Sequence, residues 1–266
     1  MKRIWSMAIV ICLVLVVAAC GNTDKQASGG SAKKYKFGTD ATWAPQEYME
    51  NGKIVGFDVD FLEAVMKEAK LDYELSNVEW NSFLAEVQEG KKLDGGISSV
   101  TINDERIKSY DFSIPYFEST NMIITKQDGI KTALDLKDKK IGVQNATTGQ
   151  TVIEDLFGKE LKGLNKYENI TMAFMELDNG GIDAVVADNM IVNEYLKNNP
   201  NKQYKALYDK TNFASEFYGI LLPKGSELKA KLDPAVKAVL ENGKYAEIYK
   251  KWYGSEPDVK VLLDKK

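Results

Sequence analysis

Residues 93–106 read LDGGISSVTINDER: an apolar and glycine start, then Ser98, Ser99 and Thr101 interleaved with Val100 and Ile102, two acids, and Arg106. Apolar positions alternate with hydroxyls up to Ile102, as in a strand whose end turns polar. Two readings fit that ending. One is a strand that runs into a solvated helix start, with side chains of the kind that cap helices. The other is a site for a small anion such as a carboxylate, held by hydroxyls and one planar guanidinium. The flanking sequence decides between them.

From Tyr35 onward, strand and helix patterns alternate. YKFGTD (35–40) reads as a short strand with a polar end. DVDFLEAVMKEA (58–69) puts Leu62, Val65, Met66 and Ala69 on one helical face, with Asp58 as its N-cap. LDYEL (71–75) alternates as a strand. Trp80, Phe83, Leu84 and Val87 form a second helical stripe, LDGGISSV (93–100) is the next strand and NMIIT (121–125) another. This rhythm predicts a mainly parallel sheet with helices on both faces. A second unit repeats it. TALDL (132–136) has Thr132 and Asp135 at capping-box spacing, KKIGV (139–143) is a strand and TGQTVIEDLF (148–157) a helix. IDAVVAD (182–188) is a buried strand and NMIVNEYLKNN (189–199) a helix. FYGILLP (217–223) is a strand, and amphipathic helices through LDPAVKAVLENG (232–243) and YAEIYKKWYG (245–254) follow.

Two such units with little linker between them predict a cleft, and open α/β sheets place ligands beyond the carboxyl ends of their strands. Asp40 follows the first strand, Ser98 to Thr101 the third, Thr147 and Thr148 follow KKIGV, and Asp188 follows IDAVVA. Four polar strand ends converging from two units favour the anion site over the solvated helix start.

Composition narrows the function. The 266 residues are 44% hydrophobic and 28% charged, ordinary for a globular protein, and the net charge of −4 gives no basic footprint for nucleic acid. There is no histidine, which argues against catalytic triads and zinc sites. Residues 1–20, MKRIWSMAIVICLVLVVAAC, combine Lys2 and Arg3 with an apolar run and small residues before Cys20. That is a secretory leader, too short to serve comfortably as a membrane span. Val17–Ala18–Ala19–Cys20 resembles the bacterial lipobox, which implies a lipidated Cys20 as the mature N-terminus; a plain leader cleaved elsewhere is the alternative. Cys12 would leave with the leader, so no intrachain disulfide is expected. Residues 21–34, GNTDKQASGGSAKK, read as a flexible tether.

Seven segments in order resemble the bacterial extracellular solute-binding proteins of family 3, the polar and basic amino-acid-binding lipoproteins of ABC importers. They are GTDATWAPQEY (38–48), KIVGFDVDFLEAV (53–65), SSVTINDERIKSYDFSIPYF (98–117), KKIGVQNATTGQ (139–150), NGGIDAVVADN (179–189), YGILLPKGSELK (218–229) and NGKYAEIYKKWYG (242–254). The resemblance implies a two-lobed, periplasmic-binding-protein-like (type II) α/β fold with two β-strand crossovers, near Glu118–Thr120 and Glu216–Tyr218. Lobe 1 would comprise 35–118 and 217–266, and lobe 2 would be 119–216.

By the same resemblance Arg106 grips a ligand α-carboxylate, a match for its planar fork. Ser99 and Thr101 assist, with Ser98 beside them. Thr148 meets the carboxylate from the other lobe at a helix start whose dipole favours an anion. Asp188 accepts the α-ammonium; its other reading is a simple N-cap. Trp43 and Trp80 sandwich the ligand side chain, where cation–π attraction would favour a cationic one. Asp40, Glu47 and Gln144 are candidates for the side-chain tip. Many relatives have Phe where this chain has Gln46, which bears on the polarity of the pocket mouth. Arginine, lysine or histidine is the expected ligand, with glutamine or cystine behind.

The implied partners are a free L-amino acid, an ABC permease with its ATPase subunits, and the membrane through the lipid on Cys20. No nucleic acid, cofactor or metal is expected, and the protein would be a monomer at an extracytoplasmic, more naturally Gram-positive, surface. A dehydratase or lyase of this fold and a sensory accessory are the rival classes.

Overall fold

The computed structural model describes residues 33–265; the expectations for the leader, for Cys20 and for most of the tether lie outside them. The first sheet is built from β1 (Tyr35–Thr39), β5 (Tyr73–Asn77) and β6 (Gly95–Gly96), joined later by β7 (Tyr110–Phe112) and β14 (Leu221–Pro223), in the order β5-β1-β6-β14-β7. Between β1 and β5 lie a three-stranded ribbon, β2 (Thr42–Trp43), β3 (Glu47–Glu50) and β4 (Lys53–Val55), and helix α1 (Phe57–Glu68). Helix α2 (Trp80–Glu89) connects β5 to β6, and the one-turn α3 (Arg106–Ser109) precedes β7.

Strand β8 (Phe117–Thr125) then leaves for the second sheet. There it joins β9 (Ile141–Gln144), β10 (Leu164–Tyr167), β11 (Ala184–Asp188) and β12 (Lys205–Leu207) in the order β10-β9-β11-β8-β12. Helices α4 (Thr148–Phe157), α5 (Ile170–Asp178) and α6 (Asn189–Asn198) cover it. Strand β13 (Ser215–Tyr218) returns antiparallel to β8, with Glu216 opposite Ser119 and Tyr218 opposite Phe117. Helices α7 (Leu228–Glu241), α8 (Lys244–Tyr253) and α9 (Val259–Leu263) follow β14.

Burial explains the layers. In the second sheet, Ile123, Ala184 and Val186 face one apolar cluster while Met122, Ile124, Val185 and Ala187 face another. That is the period-2 alternation of strands covered on both faces. In the first lobe Phe57 and Phe61 of α1, both fully buried, pack with Tyr116, Phe117 and Tyr245, joining α1, α8 and the crossing strand in one aromatic core.

The structure corrects four expectations. The sheets are mixed: β5, β1, β6 and β7 point one way with β14 reversed between β6 and β7, and β10, β9, β11 and β12 point one way with β8 reversed between β11 and β12. Strand β8 enters directly from the other lobe without a helical crossover, so it is free to run the opposite way. LDGGISSV is strand only at Gly95–Gly96, because the chain turns at Ser99, whose φ is +51°. FYGILLP is split between β13 and β14, with Gly219 and Ile220 between them. Asp58 does not cap α1; Gly56 holds that place and Asp58 turns inward.

Gly96 matters to the site because it brings the strand before Ser98 hard against α2. A Cβ there would lie 2.1 Å from the Phe83 ring, which is fully buried and has nowhere to go. Gly96→Ala is therefore expected to cost about 1–3 kcal/mol of stability, read as a lower urea midpoint at unchanged m-value. A midpoint equal to wild type would show that Phe83 can yield.

Candidate functional site

Twelve side chains line one pocket at the strand ends between the two sheets. From the first lobe come Asp40 after β1, Trp43 on β2, Glu47 at the start of β3 and Trp80 at the start of α2. The turn after β6 adds Ser98, Ser99 and Thr101, and α3 adds Arg106. From the second lobe come Gln144 at the end of β9, Thr147 and Thr148 at the start of α4, and Asp188 at the end of β11. All eleven residues singled out from the sequence thus meet in one place. Thr147, named there only as a polar strand end, is the addition.

One hydrogen-bonded group gathers around Ser98. Its hydroxyl accepts from the Asp40 amide at 3.0 Å and donates to Glu47 Oε1 at 3.0 Å. Gln144 Nε2 reaches across to Asp40 Oδ2 at 3.1 Å, and burial raises the Asp40 carboxyl above its ordinary range. Behind them Glu47 and Asp58 are both fully buried and lie close enough for their charges to couple. Asp58 Oδ2 accepts from the Ser99 amide at 2.9 Å and from the Tyr116 hydroxyl at 2.7 Å, whereas the buried Oδ1 has no hydrogen-bond partner. Burial pushes Asp58 up to about 6 and Glu47 well above the carboxylate range, the latter helped by Asp58's charge. Two acids side by side without a cation share a proton.

A second group surrounds Arg106. Its guanidinium donates to the Thr101 carbonyl at 3.0 Å and, across the cleft, to the Ala146 carbonyl at 3.1 Å, and lies 5.7 Å from the Trp80 ring centroid. No ion pair joins it to Asp104 or Glu105. Burial lowers its pKa, opposed by the charges of Glu216 and Asp188, and its remaining N–H groups are available to a ligand anion. Asp188 starts α6 without a side-chain capping bond; it accepts instead from the Tyr218 hydroxyl, and burial, then the charge of Glu216, pushes it up to about 7.

Gly149 lets this end of the second lobe close up: a Cβ there would stand 2.8 Å from the Val186 carbonyl, so only glycine lets α4 begin this close to β11. The indole nitrogens of Trp43 and Trp80 are buried without partners. Trp43 packs into the second lobe's apolar cluster with Ile170 and Ala173, while Trp80 packs on Phe83. Gln46 is not at the pocket mouth. It is fully buried and accepts from the Tyr253 hydroxyl.

Sequence reasoning passed over two acids here, Asp58 and Glu216. Glu216 on β13 accepts from Thr101 Oγ1 and Thr148 Oγ1, each at 2.7 Å, and from Asn121 Nδ2 at 2.7 Å. Its signal in the sequence was a lone acid inside a crossover strand.

Two α/β sheets joined by crossing strands, with a polar cavity at their facing ends, define a two-lobed protein of the periplasmic-binding type. The family profile for bacterial extracellular solute-binding proteins, family 3, matches residues 35–255. The chain belongs to that family. It is 36% identical over 265 residues to a probable histidine-binding protein of Neisseria gonorrhoeae, covering 96% of this chain and 97% of that one. To the arginine-binding extracellular protein ArtP of Bacillus subtilis it is 30% identical over 261 residues, covering 96% and 100%. Among solved structures, the arginine-, lysine-, histidine-binding protein ArtJ of Geobacillus stearothermophilus superposes with a TM-score of 0.85. It is 58% identical, over 87% of this chain and all of that one. Among the described residues no helix is long and apolar enough to cross a membrane.

Proposed function

We propose that this protein is the substrate-binding component of an amino-acid ABC importer and that its ligand is a cationic L-amino acid, arginine first among them. The observation that carries the reading is one cavity holding Arg106 and Asp188 in one group and the acids Asp40 and Glu47 in another, between two tryptophans. An α-amino acid needs a cation and an anion for its backbone, and the extra acids suit a positive tip. The names of the relatives point the same way.

In this reading Arg106 takes the α-carboxylate and Asp188 the α-ammonium, and Trp43 and Trp80 flank the side chain. Lobe 1 is 35–118 with 217–266, and lobe 2 is 119–216. The ligand docks first on lobe 1, and contacts from lobe 2 then shift the population toward closure. The mature chain is a monomer held by a lipid on Cys20 at an extracytoplasmic, Gram-positive surface, where the closed form meets a permease. It turns over no substrate.

The test is calorimetric titration of the purified protein, stripped of carried ligand by unfolding and refolding, with arginine, lysine, histidine, glutamine, cystine and glutamate. Micromolar binding of arginine, about −8 kcal/mol, is the expected result. Glutamine alone would keep the class and overturn the charge reading of the pocket. Silence from all six would return the enzyme and sensor readings.

A further inference from the structure

Glu216 is absent from the cavity lining, yet it controls two residues that are in it. Both Thr101, from the first lobe, and Thr148, from the second, donate their hydroxyl hydrogens to its Oε2 at 2.7 Å. Its Oε1 takes Asn121 Nδ2 at 2.7 Å, and the same amide also donates to Thr148 Oγ1 at 3.4 Å. Strand pairing fixes the carboxylate in this position: Glu216 sits opposite Ser119 where β8 and β13 cross between the lobes, and Thr101 bridges to Tyr218.

A hydroxyl has a single hydrogen to donate and otherwise only accepts. With both hydrogens spent on Glu216, Thr101 and Thr148 have only oxygen lone pairs left to offer. Asp188 stands in the same cavity, with one carboxyl oxygen already engaged by the Tyr218 hydroxyl. Three acceptors so arranged match an ammonium group, which brings three N–H donors and no acceptor. A carboxylate ligand would gain nothing from either hydroxyl and would be repelled by the acid behind them.

We propose that Glu216 is a positioning residue that turns the Thr101 and Thr148 hydroxyls oxygen-first toward the cavity and so completes, with Asp188, the receiver for the ligand's α-ammonium. The proposal rests on the amino-acid reading given above. It reassigns the Thr148 side chain from the carboxylate to the ammonium; the carboxylate is left to Arg106 and to the first-turn amides of α4.

The experiment compares two probes on the purified protein: arginine, and 5-guanidinopentanoate, which is arginine without its α-amino group. Glu216→Gln reverses at least one donor and should raise the Kd for arginine by about tenfold or more. The Kd for 5-guanidinopentanoate should move less than about threefold, because that probe never used the receiver. Thr148→Val, which removes one hydroxyl and keeps the amide, should show the same split and serves if the Gln variant does not fold. Equal weakening of both probes, or no effect on arginine, overturns the role of Glu216 while leaving the amino-acid reading intact. A wild-type protein that does not bind arginine overturns that reading, and this proposal with it.

Discussion

Replacing Arg106 with methionine is expected to weaken arginine binding by roughly 30-fold to several-thousand-fold, the usual cost of about 2–5 kcal/mol when one member of a desolvated, hydrogen-bonded charge pair is removed. Methionine keeps most of the side chain's apolar bulk beside Trp80, so the loss belongs to the guanidinium. The loss has two parts. The ligand carboxylate would be left without its cation. The bond from Arg106 to the Ala146 carbonyl, which ties the two lobes across the cleft, would also go. Arg106→Lys should recover little, because an ammonium cannot serve the Thr101 carbonyl, the Ala146 carbonyl and a carboxylate with one planar fork. Arg106 belongs to none of the apolar clusters, so the melting temperature should stay within a few degrees of wild type. Calorimetry and thermal melting on the same samples decide the matter. A variant that binds arginine with wild-type affinity would remove Arg106 from the site.

The fold and the site were legible to different depths. The strand ends announced themselves because each couples an apolar run to polar residues at the place where an α/β sheet presents its ligand site. Asp40, Ser98, Thr148 and Asp188 needed nothing more. The lengths of strands were less readable. LDGGISSV has the apolar pattern of a strand, but Ser99 adopts φ +51° so that its amide can reach Asp58, a contact 41 residues back that no local pattern contains. The same contact hid Asp58. An acid ahead of FLEAVMKEA looks like a cap, and only the arrival of Ser99 and Tyr116 from elsewhere in the chain shows it facing inward. Glu216 escaped for a related reason. In SEFY it alternates with Phe217 like any solvent-facing strand residue, and its three donors come from Thr101, Asn121 and Thr148. Local periodicity reports which face of an element is apolar. It is silent on a polar residue whose partners are assembled by topology.

The buried pair of Glu47 and Asp58 leads to the second large effect. Glu47 faces Asp58 on α1, Asp40 beyond β1, the hydroxyls of Ser98 and Ser99, and, farther off, the phenols of Tyr116 and Tyr253; no cation is among them. Without ligand the pair holds a proton. A guanidinium placed against Glu47 would do the work of that proton, and binding should therefore release it. Glutamine would release no proton from this pair, although its α-ammonium expels the proton of Asp188 as arginine's does. The difference in protons released by the two ligands thus reports the acids at the side-chain end, Glu47 and Asp58 together with Asp40, and calorimetry in two buffers of unlike ionisation enthalpy measures it. Arginine affinity should rise with pH across the range where the pair is protonated, by up to about tenfold per unit for each proton released. Stability of the unliganded protein should run the other way. Asp58 and Asp188 have folded pKa values raised to about 6 and about 7. Their contribution is therefore fully present below the unfolded value near 4 and is lost as pH rises through those folded values, on the order of 1 kcal/mol per unit and group. Urea midpoints at pH 5 and pH 7.5 should show that slope without arginine and a much weaker one with it. Glu47→Gln removes the charge and keeps the shape. It should weaken arginine by about a hundredfold, the order of a lost charged hydrogen-bond partner, and leave glutamine within a few-fold. Equal proton release by the two ligands, or undiminished arginine affinity in the Gln variant, would show that the cationic tip is met elsewhere, with Asp40 the next acid to replace.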